Sequence, residues 1–365
     1  MTHLSRFLLL LSLTLGSASC SSLGWFGSVP DELDLDEVGP KIERARTDLA
    51  NGNAKRAMDW MEAAVATPGM PPAQKREARE LLEESARARI AQLATPPAKP
   101  KQLAGFLNKE LPRQISVRAA LVAAEEYANR GDRVEAFRVI KKLDQKYPTH
   151  HLRAEAGRIL ADVGLAIAAD DSNFLFFFPR RARAKEVLEY MVVNYPSEPR
   201  CDEAYSTLGW LFERNEEWER AIEHHQDLLL YHPESAYAID SEARIPKLRL
   251  ISITSPEYDR QELVRARDEL VNWLKRHEGD ENEEAVRLDL GECYLRLHES
   301  DMGIARFYKR VDNDFGARFH GNRAAEEARL AGDEERESKA LAFVAKLPPE
   351  EPRAPLENPA TGGAQ

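Results

Sequence analysis

Tyr205-Ser206-Thr207-Leu208-Gly209-Trp210-Leu211-Phe212, then Asn215-Glu216-Glu217-Trp218-Glu219-Arg220-Ala221, holds the fold in miniature. Apolar residues recur every three or four positions on both sides of a polar interruption, the period of two amphipathic helices joined by a short turn. A small residue such as Ala221 lets two helices approach closely, and bulky residues one and two turns later fill the groove between them. Pro233 ends the second helix because a proline cannot continue it.

The same ending occurs three times, as Lys146-Tyr147-Pro148, Asn194-Tyr195-Pro196 and Tyr231-His232-Pro233. Aligned on these prolines, Ala136, Ala184 and Ala221 lie twelve residues upstream, Ile140, Leu188 and His225 eight, and Leu143, Met191 and Leu228 five. One spacing of small and bulky residues is therefore repeated. The unit resembles the tetratricopeptide (TPR) motif of about 34 residues: aromatic, Leu-Gly, aromatic, turn, Ala, then Pro. Leu290-Gly291-Glu292-Cys293-Tyr294 repeats the first-helix portion, and Asn51-Gly52-Asn53 and Arg130-Gly131-Asp132 match the inter-helix turn. The expected fold is all-α, a TPR-type superhelical solenoid of stacked antiparallel hairpins. Hairpins are expected over 41–66, 116–148, 152–196, 200–233, 236–277 and 283–312, with a lone helix over 75–93 and closing helices over 317–346.

The segmentation expected along the chain follows composition. Residues 1–19 read as a signal peptide, 20–37 as a tether and 38–95 as an N-terminal hairpin plus an extra helix. Residues 96–115 form a linker containing Pro96-Pro97-Ala98-Lys99-Pro100 and a short helix; 116–347 form the TPR array. The Pro-, Gly- and Glu-rich stretch 348–365 is expected to be disordered.

The N-terminus carries Arg6, a short apolar stretch Phe7–Leu15 and small residues Gly16-Ser17-Ala18-Ser19 before Cys20. The apolar stretch is too short to cross hydrocarbon, which takes about 20 residues. The Cys after small residues resembles the lipobox of bacterial lipoproteins, in which the thiol is alkylated by diacylglycerol and becomes the first mature residue. Ser17 departs from the Leu that this family favours there, and an ordinary cleaved signal is the alternative. Ser21 fits outer-membrane sorting in that family. Cys201 and Cys293 lie in different repeats and are expected to be small core residues with no disulfide.

A second resemblance concerns the segment Ala169-Asp170-Asp171-Ser172-Asn173-Phe174-Leu175-Phe176-Phe177-Phe178-Pro179-Arg180-Arg181, which enlarges one inter-helix turn, and the Ala-rich helix after it that closes at Tyr195-Pro196. It resembles the BamD family, lipoproteins of the outer-membrane β-barrel assembly machine, as does Ser300–Arg310. The likeness spans about residues 116–330; the extra N-terminal hairpin departs from it. It implies a lipid-anchored scaffold on the periplasmic face of the outer membrane, whose partners are β-barrel assembly subunits or unfolded barrel precursors. The competing reading is a general periplasmic TPR scaffold serving cell-wall, secretion or Tol-type complexes.

Candidate partner-binding residues are Phe174, Phe176, Phe177, Phe178, Arg180 and Arg181. An exposed aromatic run is a docking patch or membrane contact; folded back, it plugs the superhelix, and the second alternative is favoured. The clusters at Arg180–Arg183 and Arg318, Arg323, Arg329 read foremost as charged helix faces and otherwise as sites for acidic partners. Adjacent histidines, His150-His151 and His224-His225, point in different directions on a helix and do not share an ion, so no metal or cofactor is expected. The net charge of −11 disfavours nucleic acid. No phosphate loop, nucleophile elbow or His-Glu-x-x-His is present, and no enzymatic activity is expected.

Overall fold

The computed structural model describes residues 29, 31–170, 180–254 and 260–349, with the side chains of Arg180 and Arg181 outside that set. All regular structure among the described residues is helical. The chain divides into two compact units between Pro97 and Ala98.

The first unit contains α1 (Leu35–Ala50), α2 (Ala54–Ala66) and α3 (Pro72–Ala94). Gly52, at φ +78°, closes the three-residue turn between α1 and α2. The helix expected to stand alone over 75–93 does not: α3 packs on both α1 and α2. Its Ala78, Leu82 and Ala86, spaced by four, form a buried stripe that needs those neighbours. Gln92 Nε2 also donates to Gly52 O at 2.7 Å.

The second unit opens with α4 (Pro100–Ala104) and a 3-10 turn, then pairs α5 (Arg113–Asn129) with α6 (Arg133–Lys146) and α7 (Arg153–Ala169) with α8 (Arg180–Asn194). It continues with α9 (Cys201–Glu213) and α10 (Trp218–Tyr231), then α11 (Ala238–Ser252) and α12 (Arg260–Arg276). The three Pro-terminated helices stop where the sequence predicts. The amide N–H groups of Tyr147, Tyr195 and His232 each donate to the carbonyl four residues back, at 2.7, 2.7 and 2.8 Å. Every residue of the twelve-eight-five alignment is buried.

Sequence and structure part after His277. Residues 283–312, expected as a hairpin, form one helix, α13 (Glu283–Arg310), of 28 residues. Nothing between Glu283 and Arg310 breaks it: there is no proline, and Gly291 sits in an open stretch of helix with nothing within 4 Å of an added Cβ. Pairs at i,i+4, Glu283–Arg287 at 2.6 Å and Glu292–Arg296 at 2.8 Å, reinforce it. The partner of α13 is α14 (Asp314–Leu330), and α15 (Glu334–Ala345) closes the unit. In the acidic turn before α13, Gly279 N–H donates to Glu283 Oε2 at 2.6 Å beside the helix N-terminus.

The hairpins stack as a TPR-type solenoid with unequal faces. First helices of successive hairpins touch at α5–α7, α7–α9 and α11–α13, with at most a marginal contact at α9–α11, whereas the second helices make at most marginal contacts with each other throughout. That inequality puts α5, α7, α9 and α11 on the inside of the curve.

Candidate binding groove on the inner helices

The inner face of α7, α9 and α11 holds an open cavity of about 380 Å³. Leu165 and Ala168 of α7 and the half-buried Trp210 of α9 give it an apolar floor; Ser206 and Thr207 add hydroxyls. Glu203, Asp240 and Arg244 form its charged edge. The Arg214 guanidinium lies 4.8 Å from the Trp210 ring centroid, which fixes the indole from one side.

This geometry follows from the small residues in α7 and α9. A Cβ on Gly209 would stand 2.5 Å from the His225 ring, and one on Gly164 would stand 2.5 Å from Leu188. Each glycine therefore admits the residue that lies eight before the closing proline. His225 in turn donates from Nε2 to Glu213 Oε1 at 2.9 Å and pairs through Nδ1 with Ser241 Oγ at 3.0 Å, tying α9, α10 and α11 together. Burial pushes the Glu213 carboxyl up, but His225 and Arg244 outweigh it and hold it below its ordinary range.

Most charges along the inner face are already matched. Arg118 meets Glu155 at 3.0 Å, Arg158 meets Glu125 at 2.8 Å and Asp162 at 3.1 Å, and Arg200 bridges Asp162 at 2.9 Å and Glu203 at 2.8 Å. Arg244 continues the ladder to Asp240 and Glu213. The ladder neutralises itself, so the groove presents apolar surface and hydroxyls more than net charge. A second cleft of about 430 Å³ lies on the outer helices, where Lys141 sits over Phe137 and Tyr190 and Val193 is exposed.

Of the residues singled out in the sequence, Cys20, Phe174, Phe176, Phe177 and Phe178 lie outside the described residues. Arg180 and Arg181 start α8, with their side chains outside the described set. Arg323 turns inward to Asp301 Oδ2 at 3.8 Å and is not part of an open charged face, whereas Arg329 pairs with Glu326 of its own helix. Cys201 and Cys293 are free and buried, and burial pushes their thiols up, to about 11 and about 12. The paired histidines diverge: His224 stacks on Phe212, and burial, with Arg220 and His225 nearby, drops it to about 4. Among the described residues no group of three His, Cys, Asp or Glu is placed to hold a metal, and no helix is long and apolar enough to cross a membrane.

Two buried polar centres escape a sequence reading. Asp144 accepts from Tyr190 Oη at 2.8 Å and from Tyr195 Oη at 2.6 Å, with Arg153 Nη1 at 3.6 Å. Burial raises its carboxyl, yet these donors and nearby His150 hold it low. Asp301 of α13 is fully buried between Arg260 Nη2 at 2.7 Å and His320 Nδ1 at 2.6 Å, beside Glu327 of α14. Burial and the Asp301 charge push Glu327 up to about 8, against Arg260 and Arg323.

No family model and no curated relative matches the chain. Among solved structures it is similar to MamA of Desulfovibrio magneticus RS-1, at 16% identity over 67% of this chain and 98% of that one, TM-score 0.25. It is similar also to PilF of Pseudomonas aeruginosa, at 13% identity over 84% and 97%, TM-score 0.26. A tetratricopeptide repeat protein from Parabacteroides merdae matches at 12% identity over 85% and 99%, TM-score 0.23. Superposition at these scores is poor, and the fold assignment rests on the helix pairing itself.

Proposed function

We propose that the chain is a lipid-anchored scaffold of the bacterial envelope that binds partner proteins through the inner groove of α7, α9 and α11. The groove carries this reading: an open apolar trough with free hydroxyls suits an extended peptide, whose backbone needs hydrogen-bond partners and whose side chains need apolar seats. The proposed role is binding, with no catalytic step assigned to it. The Cys20 signal supports anchoring, and the BamD-like segment around Asp170–Tyr195 supports service in outer-membrane β-barrel assembly, at the periplasmic face.

Two experiments test the parts separately. Cys20→Ser is expected to release the protein from membranes; unchanged fractionation refutes lipidation. Affinity purification from solubilised envelope is expected to recover the barrel-inserting subunit. Recovery of cell-wall, secretion or Tol components alone would move the assignment to the general periplasmic scaffold. A Trp210→Glu substitution is expected to abolish recovery in either case, because it puts a charge on the apolar floor.

A further inference from the structure

The α13–α14 hairpin leaves large apolar side chains open to solvent. Phe307 and Val311 are each 52% exposed, and Phe319 is 49% exposed. The two phenylalanines belong to one run of rings across both helices: Phe307 contacts Tyr308 at 5.7 Å, Tyr308 stacks on His320 at 5.6 Å, and His320 meets Phe319 edge-on at 5.1 Å. The run is held from beneath. Gly316 makes room for the Tyr308 ring, where a Cβ would stand 2.7 Å away, and Asp301 Oδ1 fixes His320 Nδ1 at 2.6 Å. Rings anchored in this way are ordered before any partner arrives, which lowers the entropy cost of docking.

Arginines border the run. Arg306 and Arg310 stand one turn apart on α13, flanking Phe307, and Arg318 adjoins Phe319. Among the described residues none of the three has a carboxylate within ion-pair distance; Arg318 donates to Pro348 O. Arginines on the inner face are, by contrast, matched to acids. In a chain of net charge −11 this is a local basic spot joined to exposed aromatic surface.

We propose that this α13–α14 patch docks an acidic segment of a partner protein, one that interleaves carboxylates with apolar side chains. The inference rests on the reading of the chain as a protein-binding scaffold and names a second contact surface on it. An anionic membrane fits less well. An extended charged surface feels the repulsion of the whole acidic chain, whereas a short segment within a Debye length, about 8–10 Å, feels mainly the three arginines.

The probe is a labelled synthetic peptide of about twelve residues alternating Glu and Leu, titrated into the full chain by fluorescence anisotropy. Binding is expected to weaken at least about tenfold in Arg306→Glu/Arg310→Glu and in Phe307→Ser/Phe319→Ser, and to weaken with added salt. These positions are exposed, and unchanged thermal melting confirms that the variants fold. A Lys-for-Glu peptide that binds equally well, or variants that bind as the parent does, would overturn the proposal. So would arginine-dependent capture by phosphatidylglycerol vesicles in place of the peptide, patch-dependent dimerisation, or a tenfold gain on truncation after Pro349, which would make residues 350–365 the occupant. Loss of peptide binding in Trp210→Glu alone would leave the scaffold standing and remove this patch; patch-dependent peptide binding without any envelope partner would do the reverse.

Discussion

The α9–α10 and α13–α14 hairpins solve the same packing problem with the parts exchanged. In α9–α10 the glycine is on the first helix and the ring on the second, Gly209 against His225. In α13–α14 the ring is on the first helix and the glycine on the second, Tyr308 against Gly316. The first hairpin follows the TPR order, turns at Glu216 with φ 60°, and covers Phe212 completely. The second turns at Asp312 with φ 55°, follows a helix twice as long, and leaves its outer rings in water. A close approach thus needs one small residue facing one bulky one, and the motif's chain order is not physically required.

Deleting the covered ring sharpens the contrast most. Phe212→Ala is expected to cost about 3–5 kcal/mol in urea denaturation, whereas Phe307→Ala, half in water already, should change stability by less than about 0.5 kcal/mol. Comparable losses from both would show that the outer rings of α13–α14 are core.

The glycines give a paired test. Gly209→Ala forces a methyl into the pinned His225 ring and is expected to destabilise by about 1–3 kcal/mol. Gly291→Ala meets open space and is expected to stabilise by about 0.5–1 kcal/mol through helix propensity. Destabilisation by Gly291→Ala would mean that a helix packs there, as the Leu290-Gly291 motif suggests, and would reinstate the hairpin over 283–312.

Acid content separates the two hairpins next. Glu327 binds its proton more tightly folded than unfolded, so its contribution is full below its ordinary 4.5 and fades as pH rises through about 8. Asp301 runs the other way: held low by Arg260 and His320 against burial, it contributes above its ordinary 3.8 and fades on acidification. Glu327→Gln should therefore melt like the parent near pH 5 and be more stable near pH 9, on the order of 2 kcal/mol. Parallel melting curves across that range would place the Glu327 carboxyl in water. The hairpins differ also at a cap: Asn313 Oδ1 accepts from Gly316 N–H at 2.9 Å, and Asn313→Ala should cost about 1 kcal/mol. The Glu217 side chain that precedes α10 makes no such bond, and Glu217→Ala should show no cap loss.

The comparison also shows what the sequence makes legible. Prolines 148, 196 and 233 register the repeats, and Ala136, Leu188 and Leu228 are core for the reason their spacing implies. Where no proline closes a helix, register fails: Leu290-Gly291 has the letters of a first helix, yet nothing near it ends one. The Asp301–Glu327 centre is not visible in the sequence because its members are 26 positions apart and meet only when α13 and α14 pair. A signal did exist, since Glu327 lies between Ala324 and Ala328 on a stripe that buries both. The groove was not legible residue by residue, because Leu165, Trp210 and Arg244 come from three helices whose curvature the sequence does not encode locally.

Site-specific photo-crosslinking in cells probes the binding surface most directly, with p-benzoylphenylalanine placed at Ser206 in the groove or at the exposed Glu223 of α10. Protein adducts from Ser206 and none from Glu223 are expected. Adducts from Glu223 with Ser206 silent would show that partners meet the outer helices and that the groove is not the binding site.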